Sequence, residues 1–228
     1  MNSLPPRRIL QFAFTLIELL TVITIIAILM GLLFPAIGIV KEQARKAEAK
    51  AAIGGITAAV KQYYTEYGKY PVGSQAPPDD LIYGDASVSG AVSNEKLFDI
   101  LRNNVSADNP KPDPTSAATK YNPRAIVFFE GKGASADPPR SGFVSSANLV
   151  GTQNSFLDPW GKQYCIAIDT NYDNQITSLP HKDFLTTNGP KTGVAAFSLG
   201  KDGIVGSKDT NGNYRKTSVS SDDIVSWQ

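Results

Sequence analysis

This sequence of 228 residues has few of the side chains that build cross-links or catalytic centres. Its one cysteine, Cys165, excludes an intrachain disulfide, and its one histidine, His181, excludes a metal site built on a histidine pair. It also lacks an excess of either charge: 22 Lys plus Arg against 21 Asp plus Glu leave +1. A domain whose main business is nucleic acid would be strongly basic, so that class is set aside. There is no GxSxG elbow and no dinucleotide fingerprint, and the glycine-containing loops KGASADPPRSG and GPKTG lack the strand-to-helix setting of a phosphate cradle. His181, in TSLPHKDF with Asp183 two residues on, reads as a lone surface histidine. Cys165 reads as a small apolar residue facing a core. The chain is therefore expected to be a non-enzyme of one or two domains, long enough to bury a core without a staple.

What it does have is a long apolar run. Leu19 to Val40 is 22 residues without a charge. About 20 residues, at roughly 1.5 Å each, cross a hydrocarbon layer about 30 Å thick. A transmembrane helix is the reading; a cleaved secretory signal ending near Ala36-Ile37-Gly38 is the competitor, and the run is too long for it. Arg7 and Arg8 in a leader without acids put the N-terminus in the cytoplasm and everything after Val40 outside. Glu18 interrupts the pattern in FTLIELL. It is either an edge residue reaching for the headgroups or an intramembrane acid whose cation must come from another molecule, because no Lys or Arg lies within a helical turn of it.

FTLIELLTVITIIAIL behind a short basic leader is similar to the N-terminal segment of the type IV pilin and pseudopilin superfamily. The resemblance implies that a prepilin peptidase cuts between Ala13 and Phe14 and methylates the amine of Phe14. It also implies that Glu18 pairs with that amine on a neighbouring subunit. Ala13 replaces the usual Gly before the cut, and Pro35 matches the family's helix-kinking proline. On this reading cleavage creates the cation that Glu18 lacks, and the pair sets axial register more than it adds net stability.

Beyond Val40 the helix is expected to run on to Tyr67, with Ala44, Ala47, Ala51, Ile56, Ala59, Tyr63 and Tyr67 as its apolar stripe and Gly54-Gly55 as a flexible point. Gly68 and Pro71 end it. Residues 71–150 hold nine of the 15 prolines and are expected to be mostly loop, with a short helix in SNEKLFDILRNN and a strand at Ala125 to Phe129. The last 78 residues suggest an antiparallel sheet with strands at 163–169, 193–199 and 223–227. The fold class is α+β: a long N-terminal transmembrane helix continuing into a small antiparallel β-sheet head. The expected parts are a leader at 1–13, the membrane half of the helix at 14–40, its soluble half at 41–67, a variable region at 68–150 and a β-sheet region with acidic loops at 151–228.

TEYGKYPVG, DPWGKQY and FSLGKDGIVGS followed by SDDIVSW resemble the major, G-type pseudopilins of type II secretion. That resemblance implies a calcium ion held by the Leu199 carbonyl, Asp202 and Asp223, with Asp222 as a further ligand; ordinary turn chemistry by Asp and Gly is the alternative. DTNGNYRKTSVS (209–220) is an insertion against the family pattern. In DTNYDNQI, Asp169, Asn171 and Asp173 have the spacing of half a calcium loop, but without its later acid a polar hairpin turn is the preferred reading. The resemblance further implies an inner-membrane, single-pass subunit with a periplasmic head that polymerises with itself and with minor pseudopilins. Its other partners would be the prepilin peptidase, an inner-membrane assembly platform and the bilayer, with no nucleic acid. A surface type IV pilin for adhesion, motility or DNA uptake is the runner-up.

Overall fold

A computed structural model of the chain describes residues 15–73, 79–104, 121–135, 137–145, 154–181, 189–206 and 222–227. The chain divides into two units, Met1–Ala44 and Arg45–Gln228. Helix α1 is Leu16–Tyr67, a single α-helix of 52 residues that contributes to both and runs through Gly54-Gly55 without a break. In the first unit it is the one described helix long and apolar enough to cross a membrane, and the apolar window buries nothing inside the chain. Leu16, Leu32 and Phe34 are 82%, 74% and 70% exposed, which in water would be a large cost and in lipid is none.

In the second unit, α1 buries Ala49, Ile53, Ile56, Ala59, Val60 and Tyr63, spaced at three to four residues along one face. The expected stripe is corrected at its start: Ala44, Ala47 and Ala51 are exposed, because the larger Ile53 and Val60 turn the buried face away from them. Four strands, β1 (Leu81–Tyr83), β4 (Cys165–Ile168), β5 (Val194–Ser198) and β6 (Ile224–Val225), form an antiparallel sheet in the order β1-β4-β5-β6. Leu81 pairs with Ile168, Cys165 with Phe197 and Phe197 with Val225. A second pair joins β2 (Gly142–Phe143) to β3 (Phe156–Leu157).

Both faces of the larger sheet are buried, so its strands read as continuous apolar runs and not as alternation. Ile166, Ile168, Val194 and Ala196 pack with α1 and with α2 (Glu95–Leu101). On the other face Cys165, Ala167, Ala195 and Phe197 are covered by Val88, Ile176 and Leu179 from the connections. Cys165 is fully buried, as expected, and burial pushes its thiol up to about 12.

Residues 71–150 hold a strand that was not expected and lack the one that was. Leu81–Tyr83 is an edge strand; at three residues it was too short to show a period. Ala125 to Phe129 is not a strand: Phe128 and Phe129 donate their amides to Leu101 O, and Phe129 packs its ring on Phe98 and Phe156 at 5.2 Å. Its apolar run serves an aromatic cluster, which also includes Phe143, with the Arg102 guanidinium 3.8 Å from the Phe143 ring centroid.

Asn94, wholly buried before α2, joins the two halves of this core. Its Nδ2 donates to Phe156 O at 2.9 Å and Tyr164 O at 3.0 Å, and its Oδ1 accepts from Phe156 N at 3.1 Å. Asn94→Ala removes the side-chain partners of Tyr164 O and Phe156 N, each worth about 1–3 kcal/mol when left unsatisfied, while Phe156 O keeps the Tyr164 amide. It is expected to lower the unfolding free energy of the full chain in detergent, read from the denaturant midpoint, by more than an Ala substitution at exposed Lys61.

Candidate functional site

The connection after β5 and the segment before β6 bring three acids together. One ligand atom each from Asp202, Asp222 and Asp223 lie within 4.8 Å of one another. Asp202 is exposed, Asp222 half-buried and Asp223 buried. The local sequence explains the convergence. Gly200, at φ +65, leaves the room that a side chain would fill: a Cβ there would stand 2.6 Å from Asp222 Cγ. Without it, the chain turns under Asp222, and Lys201 N and Asp202 N donate to Asp222 Oδ2 at 2.5 and 3.2 Å. Ile204 N donates to Asp202 Oδ1 at 2.9 Å, and Gly206 N to Asp223 Oδ2 at 2.6 Å.

Each carboxylate thus has one oxygen held by the loop's own amides. The other oxygens of Asp222 and Asp223, both Oδ1, are buried without a hydrogen-bond partner among the described residues. No Lys or Arg among those residues forms an ion pair with any of the three. Desolvation first, then the neighbouring charges of Asp222 and Asp223, hold the Asp202 carboxyl above its ordinary range. This donor set fits a hard divalent cation. Calcium draws its oxygens from carboxylates and backbone carbonyls, and the three acids supply carboxylates at one place. Leu199, whose carbonyl the resemblance names, is fully buried at the end of β5, directly before Gly200.

Two of the stretches that carried the resemblance, DPWGKQY and FSLGKDGIVGS, meet here. Asp158 of DPWGKQY is fully buried; its Oδ1 accepts from Trp160 N at 3.0 Å and Lys162 N at 2.9 Å, and its Oδ2 accepts from Ser198 Oγ at 2.7 Å. Ser198 Oγ in turn accepts from Gly200 N at 3.2 Å. Burial pushes the Asp158 carboxyl up against the opposing pull of these bonds. So DPWGK fixes the mouth of the acidic loop.

His181 is the residue that sequence reasoning misplaced. It is not on the surface: its side chain is 0% exposed, and its Nε2 lies 2.8 Å from Asp223 Oδ2. Its ring meets Phe197 edge-on at 4.7 Å and Trp227 at 5.9 Å. The signal for it lies 42 residues away along the chain, which no local pattern shows. In DTNYDNQI the carboxylates are taken up by the turn. Asp169 accepts from Tyr172 N at 2.6 Å and Asn174 N at 2.8 Å, and Asp173 Oδ1 accepts from Gln175 N at 2.8 Å.

At the other end of the chain, Ala13 and Phe14 lie outside the described residues, as does the 209–220 insertion. Glu18 is described and exposed. Its Oε2 accepts from Thr15 N at 2.9 Å and Thr15 Oγ1 at 2.6 Å, while Thr15 Oγ1 accepts from Glu18 N at 3.3 Å. Thr15-Leu16-Ile17-Glu18 is a reciprocal capping box, legible in the sequence but not read there. Its donors are neutral, so the charge of Glu18 has no counter-ion among the described residues.

No family model matches the chain, and no solved structure matches it. Two curated relatives do, both type IV major pilin proteins PilE1 of Neisseria gonorrhoeae. Each is 39% identical over 77 residues, or 32% of this chain. The alignments span 47% and 43% of those pilins, less than half of their length. About a third of the chain is therefore similar to type IV major pilins.

Proposed function

We propose that this chain is a structural subunit of the pilin kind that polymerises into a filament, and that it serves type II secretion as a G-type pseudopilin. The observation that carries the reading is the helix: an uncharged run of 22 residues, headed by one acid, inside a continuous helix whose apolar side chains find no cover in their own chain. Such a surface is satisfied by lipid while the subunit is stored and by other helices once it assembles. The exposed small residues Ala44, Ala47, Ala51, Gly54 and Ala58, three to four apart, allow another helix close approach. Similarity to polymer-forming relatives supports self-association.

On this reading the N-terminus is cytoplasmic and the head periplasmic. A prepilin peptidase cuts after Ala13 and methylates Phe14, and an inner-membrane platform assembles the subunit with itself and with minor pseudopilins. The subunit itself performs no catalysis. Asp202, Asp222, Asp223 and the Leu199 carbonyl hold calcium, which neutralises the acidic cluster and closes the C-terminal segment where a disulfide is impossible. The similarity to type IV major pilins is equally compatible with a second reading, a surface type IV pilus for adhesion, motility or DNA uptake; long fibres on the cell exterior at native expression decide for it.

Assembly is tested by Glu18→Val in the producing cell. Filaments are expected to be lost while the subunit remains in the membrane fraction; filaments at the ordinary level overturn the pairing. Calcium is tested by thermal unfolding of the full chain in detergent micelles. Calcium at 100 times its dissociation constant stabilises by about 2.7 kcal/mol, so EDTA is expected to lower the midpoint by several degrees. An unchanged midpoint would return the loop to ordinary turn chemistry.

A further inference from the structure

The buried histidine is not needed to explain the fold of the acidic loop, whose amides already hold all three carboxylates. A polar ring is a costly way to fill an apolar pocket between Phe197 and Trp227 unless its nitrogen has a task. That nitrogen is spent on one atom. Asp223 Oδ2 accepts from Gly206 N at 2.6 Å and lies 2.8 Å from His181 Nε2, and since a carboxylate oxygen can only accept, Nε2 carries the proton. With Oδ2 bound on two sides, the carboxylate cannot rotate, and Oδ1 stays buried and bare. The Asp223 side chain is 1% exposed, so water does not compete for it.

We propose that His181 is a positioning residue for the cation: its Nε2–H holds Asp223 by Oδ2 and so presents Oδ1 to the ion. The inference rests on the calcium reading above. It adds that the ion is also felt by the connection between β4 and β5. His181 lies on that connection, whose Ile176 and Leu179 cover the outer face of the sheet. Cation, Asp223, His181 and that cover then form one chain of contacts, so emptying the site loosens a segment that supplies no ligand. Loss of a partner that orients a metal-binding side chain costs about 10- to 100-fold in affinity.

Terbium(III), a luminescent stand-in for calcium, is the probe, added to the full chain in detergent micelles with Trp227 as antenna and calcium as competitor. His181→Phe keeps a ring against Phe197 and Trp227 but cannot donate; His181→Gln keeps a donor. His181→Phe is expected to weaken terbium and calcium binding by about 10- to 100-fold, and His181→Gln to recover most of it. Should either variant fail to fold, the unsubstituted chain still decides. His181 is the chain's one imidazole, so its ring nitrogen resonances are assigned without mutagenesis, and the Nε2 signal is expected to move on calcium saturation. Saturable binding by the unsubstituted chain, with equal affinity in His181→Phe or an unmoved Nε2 signal, overturns this inference and leaves the calcium reading standing. No saturable binding by the unsubstituted chain overturns both.

Discussion

A single negative charge at the head of an uncharged run of 22 residues constrains everything else this chain can do. Glu18 stands at the edge of 22 residues that belong in hydrocarbon, and its partners among the described residues, the Thr15 amide and hydroxyl, are neutral. Neutral donors orient a carboxylate without cancelling its charge, so the helix remains electrostatically unfinished. The same helix buries no apolar surface of its membrane half within the chain. On the proposed reading, charge and surface alike are answered by other molecules, lipid first and then neighbouring copies.

The head solves a different problem with similar means. It is rich in connections, and its lone Cys165 is buried and cannot staple them. Aspartates do that work by accepting backbone amides: Asp158 from Trp160 and Lys162, Asp169 from Tyr172 and Asn174, Asp80 from Thr177 and Ser178. Each such bond joins a side-chain carboxyl oxygen to a main-chain amide. In the last connection the device is carried one step further. Asp202, Asp222 and Asp223 hold their loop in this way and then converge, so the loop's closure gathers three carboxylates at one point.

Much of this was legible in residue order, for identifiable reasons. The helix from the apolar run to Tyr67 could be read because its signal is long and its end is marked by Gly68 and Pro71; strands β4, β5 and β6 because each is an apolar run between turn residues. The acids of the C-terminal loop could be named because they lie in short motifs, and the structure brings Asp202, Asp222 and Asp223 together. What failed was short or distant. Leu81–Tyr83 is three residues and becomes a strand only by pairing with β4. Phe128 and Phe129 looked like strand because aromatic cores and strands draw on the same residues. His181 looked like a surface residue because the groups it meets, Asp223, Phe197 and Trp227, are remote in sequence.

The central claim is that proteolysis supplies the positive group that Glu18 lacks, by freeing an amine ahead of Phe14 that an adjoining copy presents at the same depth. Mass spectrometry of the mature protein purified from its producing membrane tests this most directly. The account predicts an N-terminal peptide that begins at Phe14 and carries one methyl group. A chain that retains Met1, or one trimmed at any other position, would contradict it.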